Sequence, residues 1–159
     1  MIDTILAIKF VHLLAAAAMF GTWLAIAAFV VFARWSGNPS VIALVAQFAV
    51  RIELFVMAPA LALQPISGFP LGAAIGLSPA DDFWIELSLA LYVVVVAAWL
   101  AALWTEMRMR KVARQAALGG APLADSYAGL FRLWAVLAVV ILAGMVALFL
   151  VMVWQPRLD

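Results

Sequence analysis

The chain's one histidine, His12, stands in Ile8–Trp23 (IKFVHLLAAAAMFGTW), ahead of Ala15, Ala16, Ala17, Ala18 and Gly21. An imidazole is titratable and metal-competent, and in an apolar run its ring needs a partner. The small residues beside it leave a bare helix face along which a flat macrocycle can approach the backbone. The chemistry this predicts is axial ligation of haem b iron by His12, the candidate metal ligand. One histidine supplies one imidazole. The sixth position therefore falls to Met152, to water, or to His12 of a second protomer, and Arg51 is a candidate partner for a propionate or a substrate. The alternative is a neutral His12 bonded to a backbone carbonyl or to Glu86.

A second set of polar residues lies further along. Gln64 and Ser67 fall inside an apolar stretch punctuated by Pro59, Pro65 and Pro70, and Glu86 follows one turn into the next apolar run. A proline within a membrane helix frees a carbonyl and kinks the rod, which is tolerated where neighbours satisfy it. This segment reads either as a packing kink or as a polar notch, with Gln64, Ser67 and Glu86 lining a pocket. Arg51 and Glu53 read as an interfacial pair, with Arg51 snorkelling to the headgroups. No nucleophile–base pair, phosphate loop, HExxH motif or carboxylate dyad is visible, so catalytic residues are not assigned.

The elements that must position these groups follow from composition. Of 159 residues 70% are hydrophobic and 11% charged, more apolar surface than a soluble domain of this length hides. Four apolar runs of membrane-crossing length predict one all-α domain over residues 1–159, an up-down bundle with spans at about 8–33, 48–74, 83–106 and 130–154. Ser40 is placed to cap the second helix. The third is expected to continue past the membrane surface through Arg108, Arg110, Lys111 and Arg114. The absence of cysteine excludes disulfides and thiolate metal sites. The first run lacks the basic n-region of a cleaved signal peptide.

Orientation follows from charge. Arg34, Arg51, Arg108, Arg110, Lys111, Arg114 and Arg132 share one side and make up most of the nine basic residues, while Asp3, Asp81, Asp82, Glu86 and Asp159 fall on the other. The positive-inside rule then puts both termini outside, in the periplasm if this is a bacterial inner membrane. The basic cluster also attracts anionic lipid, and without aromatic–basic interleaving it does not suggest nucleic acid. The seven tryptophans read mostly as an interfacial belt. Small residues on the first helix favour close helix contacts, hence an oligomer.

The segments YAGLFRLWAVL and ALFLVMVWQP, with KFVHLLAAAAMFGT, APALALQPISGF and FWIELSLALYVVVVAAWL, resemble the predicted integral membrane proteins grouped as domain of unknown function 2269. That resemblance covers nearly the whole chain and implies a membrane protein without naming an activity. In architecture the chain also resembles short membrane protoporphyrinogen oxidases and copper-resistance membrane domains, which place a histidine early in helix one. The oxidase likeness implies haem at His12 alone. Two functions therefore compete. One is a small b-type haem or redox protein working on quinone, porphyrin or a redox partner. The other is a cofactor-free accessory or transport protein with a polar pocket at Gln64, Ser67 and Glu86.

Overall fold

The computed structural model describes residues 2–77 and 82–156. Helix α1 spans Ile2–Trp35 and α2 spans Pro39–Ile52; a π-helical turn over Glu53–Met57 joins α2 to α3, Ala58–Ala74. Helices α4, Phe83–Gly119, and α5, Asp125–Trp154, complete the chain. With α2, the π turn and α3 counted as one rod, four helices are long and apolar enough to cross a membrane. The protein is an all-α, multi-pass membrane bundle. Residues 78–81 and 157–159, Asp81 and Asp159 among them, lie outside the described residues.

The rods are longer than a bilayer requires. At 1.5 Å per residue, the 34 residues of α1 reach about 51 Å, against about 30 Å of hydrocarbon. The surplus of α4 carries Arg108, Arg110, Lys111 and Arg114, as expected of a helix leaving the membrane. Its buried stripe nevertheless continues through Ala102, Glu106, Met109, Ala113 and Ala116. The steps of three and four residues keep one face inward, against α2 and α5. Large apolar side chains such as Phe10, Phe29, Val93, Val139 and Val153 point outward, as lipid contact requires.

Two local expectations are corrected. The second helix is capped by Asn38, whose Oδ1 accepts from the Ser40 N–H, and Pro39 occupies the first turn. Asparagine is a strong N-cap, and a proline there gives up an N–H that has no helical partner. The tryptophans also divide differently: Trp35, Trp104 and Trp154 are exposed, but Trp23, Trp99 and Trp134 are buried in the bundle. The Trp23 and Trp134 rings pack at 6.4 Å. The Trp23 N–H points to the Ala138 carbonyl at 3.5 Å, beyond ordinary hydrogen-bond length.

The helical irregularity of the second span lies ahead of Gln64–Pro65, at Glu53–Met57. The Ala58 N–H bonds the Glu53 carbonyl five residues back, so one extra residue is accommodated just ahead of Pro59. Pro59 can neither donate to a preceding carbonyl nor tolerate one at ordinary α-helical distance. The wider π turn relieves that conflict.

Candidate functional site

Two polar clusters occupy opposite halves of the bundle. In the half away from the basic residues, α1 meets α3. His12 Nδ1 lies 2.9 Å from Ser67 Oγ, and Gln64 Nε2 donates to the His12 carbonyl at 3.3 Å. The Ser67 hydroxyl donates its one proton to the Leu63 carbonyl. It therefore accepts from Nδ1–H, which makes Nε2 the ring nitrogen with a free lone pair. Gly68 permits the approach: a Cβ there would lie 3.3 Å from His12 Cε1.

The prolines of α3 are compensated in the same region. Pro65 cannot bond the Leu61 carbonyl four residues back, and Tyr92 Oη of α4 donates to that oxygen at 2.7 Å. Helix α4 thus supplies the donor that Pro65 lacks.

Of the predicted pocket residues, Gln64 and Ser67 come together with His12. Glu86 does not join them; it is exposed in the first turn of α4. Met152 and Arg51 are exposed too. Arg51 precedes Gln64 by thirteen residues of the same rod, about 20 Å along the axis. The chain therefore offers a haem one ring nitrogen from His12, with Arg51 far along its rod and Met152 exposed. No group of three or more histidine, cysteine or acidic residues able to hold a metal ion occurs among the described residues.

The second cluster was not foreseen. Glu53 and Glu106 are both 0% exposed and lie within electrostatic reach of each other. Glu106 Oε1 accepts from Trp134 Nε1 at 2.7 Å. Glu106 Oε2, both oxygens of Glu53, the Tyr127 hydroxyl and Trp99 Nε1 have no hydrogen-bond partner. Tyr127 is 1% exposed, interacts electrostatically with Glu106, and has the Arg34 guanidinium 5.7 Å from its ring centre. The interfacial Arg51–Glu53 pair is replaced by an exposed Arg51 and a buried Glu53. Two carboxylates, invisible as a motif, are buried in the same half of the bundle.

A signal for it was present. Glu53 continues the inward series Ile42, Ala46, Ala49 and leads to Met57, and Glu106 sits between Ala102 and Met109 on the α4 stripe. The expected end of the third span at about residue 106 hid that phase.

Residues 6–156 match the family described as predicted integral membrane protein (DUF2269). The chain belongs to that family. No curated protein and no solved structure matches it. Membership establishes an integral membrane protein, for which contact with membrane lipid is expected, and leaves the role to be read from the site.

Proposed function

We propose that this DUF2269 protein is a cofactor-free accessory or transport protein of the bacterial inner membrane, with both termini outside and the basic end in the cytoplasm. The observation that carries this reading is the broken second span. A π turn and three prolines interrupt it, and its polar residues Gln64 and Ser67 bond His12 on the neighbouring helix. Interrupted helices with inward polar groups are how membrane bundles build sites for polar solutes. Irregular backbone at depth survives only where protein or water covers it. Most of the basic residues lie at the proposed cytoplasmic end, consistent with the positive-inside rule. There Arg110, Lys111 and Arg114 line a shallow depression suited to anionic lipid headgroups.

One observation favours the haem reading. A ring whose Nδ1–H is held by a second residue while Nε2 stays free is oriented as metal-bound histidines usually are. The absorption spectrum of the detergent-purified protein separates the two. A colourless, fully helical protein is expected. A Soret band that His12→Ala abolishes would replace the proposal with a haem protein, its sixth ligand supplied by water or by His12 of a second copy in an oligomer.

A further inference from the structure

The buried carboxylates raise a question of charge. An unpaired carboxylate costs several kcal/mol or more in an apolar interior, and two near each other add mutual repulsion. The one hydrogen bond they receive, from Trp134, does not offset that. Either protons or a bound cation must compensate the pair.

Each rod contributes to the surroundings. Glu53 comes from the π turn and Glu106 from α4. Trp134 and Tyr127 of α5 face Glu106, and half-buried Arg34 of α1 lies over the Tyr127 ring. Arg51, Arg108 and Arg132 are exposed on the outer surface. Along each rod the cluster falls where the long apolar run ends, so aqueous solution lies a short distance away. The unpartnered Tyr127 hydroxyl, buried and within the field of Glu106, is an independent sign that the cluster is built to take something up.

The donor set discriminates between occupants. Three free carboxylate oxygens and one phenol oxygen are the unpartnered oxygens on offer. Calcium takes six to eight oxygens, and magnesium requires near-ideal octahedral geometry. A proton requires one.

We propose that Glu53 and Glu106 form a buried proton-binding site in the basic half of the bundle, exchanging with the adjacent aqueous phase past Tyr127 and Arg34. On uptake, an O–H bond forms on one carboxylate oxygen as a hydronium gives up its proton. Release is the reverse, and no other reactant is consumed. The site lies in the other half of the molecule from the His12 cluster and stands without it.

The test is infrared titration of the full-length protein in lipid nanodiscs, following the carboxylic C=O band against pH. Because two interacting acids titrate with macroscopic values that belong to the pair, the wild type should show two separated steps. Glu53→Gln and Glu106→Gln should each show one, and the double variant none. The single variants are close to isosteric, and Glu106→Gln keeps an oxygen for Trp134, so they remain readable if the double variant fails to assemble. A wild-type curve that equals the sum of the two single variants would overturn the pair. So would the absence of any titrating band lost on substitution. Loss of the wild-type steps on adding sodium, potassium or magnesium salts at constant ionic strength would identify a metal-cation site instead.

Discussion

The two halves of the bundle treat polar groups in opposite ways. Where α1 meets α3, polar groups find partners: Tyr92 reaches the Leu61 carbonyl freed by Pro65, Ser67 holds His12, and Gln64 reaches back to α1. Around Glu53 and Glu106 the cover is tighter, yet most of the polar atoms are unsatisfied. Satisfied polar contacts between membrane helices act as modest fasteners. Unsatisfied ones are a standing cost, and a protein that keeps them fully buried does so for something other than stability.

The contrast can be broken by substitution. The largest effect is expected from Trp134→Ala, which removes a core ring and the one donor to Glu106. A loss of about 3–5 kcal/mol is anticipated for a buried tryptophan, measured by unfolding in mixed micelles. A loss below about 1 kcal/mol would mean that this half is not the packed core.

Next come two chemically identical changes with different outcomes. Tyr92→Phe orphans the Leu61 carbonyl and should cost about 1–3 kcal/mol. That cost should disappear in a Pro65→Ala background, because the restored N–H bonds the same carbonyl. Tyr127→Phe, by contrast, deletes a buried hydroxyl without a partner and should raise stability by about 1–3 kcal/mol, the cost of leaving such a group unsatisfied. Equal losses from the two would erase the distinction between the halves.

The smallest effect concerns the His12 clasp. Ser67→Ala should cost about 0.6 kcal/mol, the average for an interhelical polar contact in a membrane. The increment from adding His12→Ala to Ser67→Ala should be smaller than the cost of His12→Ala alone, since both remove one bond. Strict additivity in this cycle would show that His12 holds something besides Ser67.

Much of the scaffold was legible in the sequence because it follows from local quantities. Four apolar runs of membrane-crossing length dictate four spans, since backbone in lipid must satisfy itself within a helix. The prolines announced that carbonyls would be freed, and Gln64, Ser67 and His12 were visible as the polar residues available nearby. The donor that reaches Leu61 was not legible, because Tyr92 lies 31 residues away on another rod.

The carboxylate pair shows what composition could not decide. Glu53 and Glu106 each stand near basic residues at the end of an apolar run, and by composition that is a surface. What buries them is rotation about the helix axis: each sits in phase with an inward stripe, and α2, α4 and α5 continue packing beyond the apolar segment. The one-residue insertion of the π turn belongs to the same class of fact. Helix phase and overhang are set by how four rods interlock, and only the tertiary structure shows which side of each rod the others cover.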